Sequence, residues 1–279
     1  MDRQRGIIPP NPLKIIIIGA GNVAWHLAGA IKEPYGRLEA VFSRNRTHAA
    51  QVASRSATAA PETDMASLPP DGDIYIIAVP DDAIVSVAEK MPQVRGVVAH
   101  TSGTLPIDAL KNVICGGYGS FYPLQTFTAG KETDMRRVPF FIEGNNSLAR
   151  ETLSTLARSI SDHVHPADSR IRAQIHLAAV FASNFSNALW GVASDILSRS
   201  GLSLNVLAPL LHETLDKAIA IGPDAAQTGP AKRGDTQTIQ KHLDRLDTPQ
   251  LKELYSNLTN LIIKRQCQKS TTRLTASAP

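Results

Sequence analysis

A glycine-rich turn near the start of the chain has the residue types and spacing that bind a pyrophosphate. An apolar run at residues 13–18 is followed by Gly19 and Gly21, and Ala24 stands where a third glycine is common. Gly19 permits a tight turn, Gly21 lets a pyrophosphate approach the backbone, and Ala24 still allows close helix–strand packing. The amides that open the following helix would face the phosphates. The predicted dinucleotide-binding residues are Gly19, Ala20, Gly21, Asn22 and Val23. A purely structural turn in another α/β fold is the alternative.

The residues after the second predicted strand indicate which dinucleotide is bound. NAD-binding proteins usually place Asp or Glu at the tip of this strand to hold the ribose 2′-hydroxyl. Here the strand at residues 38–42 ends in Ser43, Arg44 and Arg46 and carries no carboxylate. Guanidinium and hydroxyl donors bind a 2′-phosphate, which a carboxylate would repel. The tip therefore favours NADP over NAD, unless both arginines are ordinary solvated loop residues.

Strands and helices that alternate through the first half of the chain must position these residues. The predicted strands span residues 13–18, 38–42, 73–80, 96–100, 113–118 and 138–143. Such alternation predicts an α/β Rossmann fold, with a doubly wound and mainly parallel sheet. Ligands of such sheets bind beyond the carboxyl ends of the strands. This rule adds Ala78, Val79, Pro80, Thr101 and Ser102 to the expected cofactor site.

The second half of the chain shows helical patterns alone. Helices are predicted at residues 169–200, 204–221, 236–246 and 248–264. We therefore expect an NADP-binding domain at residues 13–166 and an all-helical domain for substrate binding and dimerisation at residues 167–266. Residues 1–12 and 267–279 are expected to be flexible tails.

The first long helix carries an uncharged polar stripe. At about 100° per residue, His176, Ser183 and Asn187 share a face, with Asn184 at its margin. The opposite face is predicted to be the core stripe, formed by Leu177, Phe181, Phe185, Ala188, Val192 and Ile196. His176 is a candidate general acid or base, and Asn184 and Asn187 are candidate catalytic partners. The alternative is that these are satisfied polar groups at a helix contact.

Two further segments supply candidate substrate residues. Tyr122 and Gln125 follow a predicted strand, and Tyr122 could donate a proton or form an apolar wall. Arg233 and Asp235 project from a loop fixed by glycines and proline. Arg233 could clamp a carboxylate or phosphate, or the two residues could only pair and cap the next helix.

Composition narrows the class of protein. The 279 residues suffice for two domains, and the net charge of +4 is not concentrated in a basic block, so nucleic acid binding is not expected. Cys115 and Cys267 form neither a disulfide framework nor a metal site. Residues 1–12 lack the long apolar core that is expected of a signal peptide, and the sequence has no apolar run of the ~20 residues that a membrane helix needs. We expect a cytoplasmic protein that contacts no membrane.

Five segments resemble a known family. They are residues 18–24, 100–103, 121–127, 176–185 and 228–235. The chain resembles Rossmann-like NADP-dependent oxidoreductases that carry a C-terminal helical domain of uncharacterised function. It is more distantly similar to pyrroline-5-carboxylate reductases, β-hydroxyacid dehydrogenases and deazaflavin-dependent NADP reductases, and its second domain resembles 6-phosphogluconate dehydrogenase C-terminal domains. The resemblance implies a homodimer in which the helical domain helps to close the substrate site.

One departure from the wider superfamily bears on chemistry. The β-hydroxyacid dehydrogenases place a Lys one turn before an Asn on this helix, whereas here Val180 and Ser183 precede Asn184 and Asn187. Lysine-assisted alcohol oxidation is therefore not expected. The sequence predicts an NADP(H)-dependent oxidoreductase for a small carbonyl, imine or hydroxy compound bound between the domains. The alternative is a non-catalytic module that binds or senses NADP(H).

Overall fold

The first strand, at residues 13–18, has the composition of a central strand in a sheet that is covered on both faces. Its isoleucines are fully buried, and they alternate between two apolar clusters, with Ile15 and Ile17 in one and Ile16 and Ile18 in the other. A strand covered on both faces needs apolar side chains at every position. The isoleucine run therefore forms a central strand with helices above and below it.

The computed structural model describes residues 9–276, which divide into two compact units at the Ala188–Leu189 bond. We call them the sheet unit and the helical unit. The expected domain boundary at residue 166 stays a prediction. Residues 1–8 and 277–279 of the predicted tails lie outside the described residues.

Eight strands form one sheet in the sheet unit. They are β1 (Leu13–Ile18), β2 (Gly36–Phe42), β3 (Ala60–Glu62), β4 (Ile74–Ile77), β5 (Val97–His100), β6 (Gly117–Pro123), β7 (Phe140–Gly144) and β8 (Val164–Pro166). Their spatial order is β3-β2-β1-β4-β5-β6-β7-β8, and every neighbouring pair is parallel except β6 and β7. The predicted Rossmann fold with a mainly parallel sheet is confirmed. The order reverses between β1 and β4, where ligands bind in such sheets.

The helices of the sheet unit follow the strands. They are α1 (Asn22–Ala30), α2 (Arg46–Ala53), α3 (Ile84–Ala88), α4 (Ser147–Ile160) and α5 (Ser169–Ala179). Asn45, Asn146 and Asp168 cap α2, α4 and α5 by accepting amide hydrogen bonds from the first turn.

The prediction for β6 was wrong by several residues. The predicted strand covered residues 113–118, whereas β6 spans Gly117–Pro123. Glycines normally weaken strands, but Gly119 is required here because a Cβ would lie 2.0 Å from the carbonyl oxygen of Glu143. Tyr122 therefore lies within a strand and not in a loop after one.

The predicted long helix is interrupted by a π-helical turn. α5 passes into a π-helix at Val180–Phe185 and then into α6 (Ser186–Ser198). One extra residue in a turn shifts all later side chains by about 100°. The predicted stripe assumed a uniform helix, so its alignment of Asn187 with His176 is wrong.

The predicted core stripe on this helix is also wrong for its largest members. Leu177, Phe181, Phe185 and Ile196 are exposed, and Phe181 retains 62% of its accessible surface. The periodicity correctly indicated one apolar face, but no core of the described chain covers these four side chains.

The helical unit contains the rest of α6 and five further helices in its described residues. They are α7 (Ala208–Ile221), α8 (Pro223–Ala226), α9 (Pro230–Arg233), α10 (Thr236–Arg245) and α11 (Pro249–Ala276). The predicted all-helical second half is confirmed, and α11 includes the first residues of the predicted C-terminal tail. None of the helices in residues 9–276 has the length and hydropathy to cross a membrane.

Candidate functional site

The turn between β1 and α1 leaves room for a ligand beside free amides. Gly19 has φ +124°, and a Cβ there would lie 2.2 Å from the Ala78 carbonyl oxygen, so this position requires glycine. Gly21 is the N-cap of α1 and provides no side-chain cap, while a Cβ at Gly21 would meet no protein atom within 4 Å. The first amides of α1 are therefore open to an anion.

A cavity of about 440 Å³ adjoins this turn at the carboxyl ends of β1, β2 and β4. It is lined by Gly19, Ala20, Gly21, Phe42, Ser43, Arg44, Met65, Ala78, Val79, Pro80, Ala83, Ser86, Val87 and Lys90. Eight of the predicted cofactor residues thus line one cavity: Gly19, Ala20, Gly21, Ser43, Arg44, Ala78, Val79 and Pro80. Free amides at one end and Ser43 and Arg44 at another fit the phosphates of NADP.

Five predicted cofactor residues do not line this cavity. The Asn22 side chain accepts a hydrogen bond from the Ala129 amide at 3.0 Å, and Val23 packs against the core. Arg46 lies in the first turn of α2, and the Thr101 hydroxyl is 3.5 Å from the Ile77 carbonyl oxygen. Ser102 belongs to a polar cluster described below.

The prediction missed several cavity residues that follow β3 or β4. Ser86, Val87 and Lys90 come from α3 and the residues after it, and Met65 comes from a short 3-10 helix. Their signal in the sequence is weak, because α3 is only five residues long. Lys90 adds a second cation to the cavity lining, beside that of Arg44.

A second polar region lies beyond the carboxyl end of β5. The Asp81 carboxylate accepts hydrogen bonds from the hydroxyls of Ser102 at 2.7 Å and Thr104 at 2.6 Å. The Ser102 hydroxyl oxygen also accepts from the amides of Thr104 and Leu105. These bonds hold the segment after β5 against the residue that follows Pro80 of the cavity.

Tyr122 and His176 meet beside this segment. The Tyr122 hydroxyl lies 3.1 Å from Nδ1 of His176. Burial raises the pKa of Tyr122, and the nearby Asp81 carboxylate raises it further. Gly103 packs against both rings, since a Cβ there would lie 2.6 Å from His176 Nδ1 and 2.9 Å from Tyr122 Cζ. The structure thus brings together two predicted site residues 54 positions apart.

A buried arginine fixes the start of α5 below His176. Arg172 is fully buried, forms an ion pair with Glu143 of β7, and donates to the Leu105 carbonyl oxygen. His100 at the end of β5 is also fully buried, and burial, with the Arg172 charge, lowers its pKa to about 4. Arg172 and Glu143 were not predicted as site residues.

The other predicted residues of this region lie apart from the Tyr122–His176 pair. Asn184 lies in the π-helix, Asn187 lies in α6, and both are exposed. Gln125 is exposed, and its side chain accepts from the amide of Thr126 at 2.8 Å.

Comparisons with known proteins agree with this geometry. A family described as a domain of unknown function, DUF2520, matches residues 138–262. A Bacteroides fragilis protein provisionally named an NADP oxidoreductase is 34% identical, with 91% of this chain and 98% of that chain covered and a TM-score of 0.82. At this identity and coverage, the chain belongs to the same family as the Bacteroides fragilis protein. No curated protein matches the chain at a significant level.

More distant structures show the same fold. The Streptococcus pyogenes 1-pyrroline-5-carboxylate reductase is 14% identical, with 91% and 98% coverage and a TM-score of 0.61. The Aspergillus terreus reductive aminase in complex with NADPH and ethyl levulinate is 14% identical, with 93% and 95% coverage and a TM-score of 0.65. The chain thus shares its fold with a pyrroline-5-carboxylate reductase and a reductive aminase.

In the helical unit, the two predicted substrate residues Arg233 and Asp235 have different surroundings. Arg233 is exposed at the end of α9. Asp235 is the N-cap of α10 and accepts hydrogen bonds from the amide and hydroxyl of Thr238, which lower its pKa. Asp235 therefore caps α10, as the alternative interpretation of this loop predicted.

Proposed function

We propose that this family member is an NADP(H)-dependent oxidoreductase that acts on a small carbonyl, imine or hydroxy compound. The observation that carries the proposal is the cavity at the carboxyl ends of β1, β2 and β4. One wall of it has the open space at Gly21 beside the α1 amides, and another has Ser43 and Arg44. This combination suits a pyrophosphate and a ribose 2′-phosphate on one ligand.

The charges of the cavity support NADP over NAD. Arg44 and Lys90 line it, and none of the described residues that line it carries a carboxylate. When bound, NADPH supplies a hydride, while the protein orients the nicotinamide and excludes water. We assign Arg46, Asn22, Val23, Thr101 and Ser102 supporting roles next to the cofactor.

The substrate class is proposed from the fold relatives and from the polar region. The relatives include a 1-pyrroline-5-carboxylate reductase and a reductive aminase solved with ethyl levulinate, whose names point to imine and ketone chemistry. Reduction of either group needs a proton donor near the nicotinamide, and the Tyr122–His176 pair is suited to that task. We propose five further substrate contacts, namely Asn184, Asn187, Gln125, Arg233 and Asp235.

We also propose that the protein is a cytoplasmic homodimer that uses its helical unit. Large apolar side chains of that unit are exposed, including Leu210, Leu215 and Ile219. Exposed apolar patches are typical of protein interfaces. Light scattering should give the mass of a dimer, and the mass of a monomer would contradict this part of the proposal.

Transfer of label from deuterated NADPH tests the oxidoreductase proposal. The protein is incubated with NADPH carrying deuterium at either C4 position, together with small ketones, aldehydes and cyclic imines. We expect deuterium from one C4 position to appear on a product carbon. Tight NADPH binding without transfer to any compound would instead favour a non-catalytic module that binds or senses NADP(H).

A further inference from the structure

The strand register places Tyr122 above the edge of the sheet where ligands bind. His100, the last residue of β5, pairs with Ser120 of β6. Tyr122 therefore lies two residues, about 6–7 Å, beyond the carboxyl end of β5 and on the same face of β6 as Ser120. Ligands of parallel sheets bind beyond this edge.

Short contacts connect this tyrosine with the cofactor cavity. Pro80 lines the cavity, and the next residue, Asp81, holds Ser102 at 2.7 Å. Ser102 precedes Gly103, which packs against both Tyr122 and His176. The pair is thus held by the same loops that form the cavity wall after β4.

The two side chains differ in their access to water. Tyr122 is 8% exposed, and its raised pKa keeps the phenol protonated throughout the neutral range. His176 is partly exposed, so its ring can exchange protons with solvent. Asp81 and Arg172 are the charged groups that act on Tyr122 from the neighbouring elements.

We infer that Tyr122 is the proton donor of a reductase and that His176, hydrogen-bonded to it at 3.1 Å, returns the proton to its oxygen. The inference rests on the proposed function. It specifies that the reaction is a reduction and that a tyrosine is the general acid. It assigns the donor role to Tyr122 and a positioning and relay role to His176.

The proton balance of the reduction follows from this arrangement. The carbonyl or imine carbon gains the hydride, and the π electrons of the C=O or C=N bond move to the oxygen or nitrogen. That atom takes the proton of the Tyr122 hydroxyl. The Tyr122 oxygen recovers a proton from Nδ1–H of His176, and His176 takes up one proton from water. The product therefore contains one hydride and one solvent proton, and NADPH leaves as NADP⁺.

A measurement without turnover tests the contact itself. Ring ¹⁵N signals of His176 are recorded in the full chain with NADP⁺, and the variant His176→Gln assigns them. We expect Tyr122→Phe to shift the Nδ1 signal, because the hydroxyl at 3.1 Å is removed. The matched control is Tyr118→Phe, on the same strand and without a contact to His176. An unchanged Nδ1 signal in Tyr122→Phe would overturn the inference.

Turnover with cyclohexanone and 1-pyrroline tests the proton transfer. Tyr122→Phe should lower kcat by about 10²–10⁴-fold while NADPH affinity stays within twofold. His176→Ala should lower kcat less, and added imidazole should restore part of it, which a purely structural role would not allow. The wild type should show a solvent isotope effect on kcat.

The outcomes separate the two proposals. Deuterium transfer from NADPH that is undiminished in Tyr122→Phe would refute the relay alone. If no tested compound takes up deuterium, the proposed function and the relay are both refuted. A large loss in Tyr122→Phe, together with imidazole rescue of His176→Ala, would support the relay.

Discussion

The cofactor cavity and the polar region after β5 lie at the same edge of one sheet but are built in opposite ways. The cavity consists of glycines, strand ends and apolar side chains, and its amides at the start of α1 have no side-chain cap. The polar region instead joins Asp81, Ser102 and Thr104 by side-chain hydrogen bonds. One region keeps donors free for a ligand, and the other satisfies its polar groups before a ligand arrives.

This difference indicates a division of work. Free amides and a nearby cation can bind a phosphorylated ligand directly, because no existing hydrogen bond has to be broken first. A hydrogen-bonded cluster holds its members in one geometry, which proton transfer requires. Substitutions at the ligand-facing positions of the first region should therefore affect binding, and substitutions in the second region should affect either stability or turnover.

The largest effect is expected at Gly19. Gly19→Ala should lower the free energy of unfolding by about 3 kcal/mol or more, because the residue has a positive φ and a Cβ would strike the Ala78 carbonyl. Urea denaturation measures this change. The matched control is Gly21→Ala, which should keep its stability within about 1 kcal/mol, since its Cβ meets no protein atom.

Gly21→Ala is also expected to weaken NADPH binding about tenfold or more, because the methyl group occupies the space through which a pyrophosphate approaches the amides. Unchanged NADPH affinity in this stable variant would show that the turn does not hold the cofactor.

The buried ion pair of the polar region comes next. Glu143→Gln should lower the free energy of unfolding by about 3 kcal/mol, because it leaves the fully buried Arg172 without its counter-charge. Replacing both residues by leucine should be less harmful than this single change, since no charge is then left unpaired. A single-variant loss below about 1 kcal/mol would show that the pair does not fix α5.

His100 makes the stability of the sheet unit sensitive to acid. Its pKa is about 4 in the folded chain, against an ordinary value of 6.5, so the folded state disfavours its charged form. The stability gained from neutral His100 is present above pH 6.5 and is lost as the pH falls towards 4, by roughly 3 kcal/mol in all. Unfolding free energies at pH 7.5 and 4.5 should differ less in His100→Gln than in the wild type. Equal acid sensitivity of the two proteins would contradict this assignment.

A further effect concerns cofactor choice. Arg44→Ala should weaken NADPH binding by about 10–100-fold and NADH binding far less, because a hydrogen bond to a charged group contributes about 1.5–3 kcal/mol. Lys90→Ala should act in the same direction but more weakly, because lysine is a flexible point charge. Arg95→Ala serves as the control, because Arg95 is an exposed arginine before the amino end of β5 and does not line the cavity. Equal losses for NADPH and NADH in Arg44→Ala would remove the case for a 2′-phosphate site.

Local features of this chain were predictable from its sequence. The isoleucine strand, the glycine turn and the alternation of strands with helices are read from neighbouring residues, and each appears in the structure. The residues Ser43 and Arg44 follow directly from the end of β2, so their place in the cavity was also predictable.

Features that depend on residues far apart in the sequence could not be predicted from it. The register of β6 depends on how closely its glycines approach β7, which no local pattern shows. The Tyr122–His176 contact joins residues 54 positions apart, and the Arg172–Glu143 pair joins β7 to α5. The π-helix at Val180–Phe185 changes which side chains share a helix face, and this segment contains no proline or glycine that would have predicted the change.

Isothermal titration calorimetry tests the central claim most directly. The wild-type protein is titrated with NADPH in one experiment and with NADH in another. We expect one site per chain and an affinity for NADPH at least about tenfold higher than for NADH, because Arg44 is expected to bind the 2′-phosphate that NADH lacks. If correctly folded protein releases or absorbs no heat with either coenzyme, the cavity at the β1 turn is not a dinucleotide site and the account is wrong.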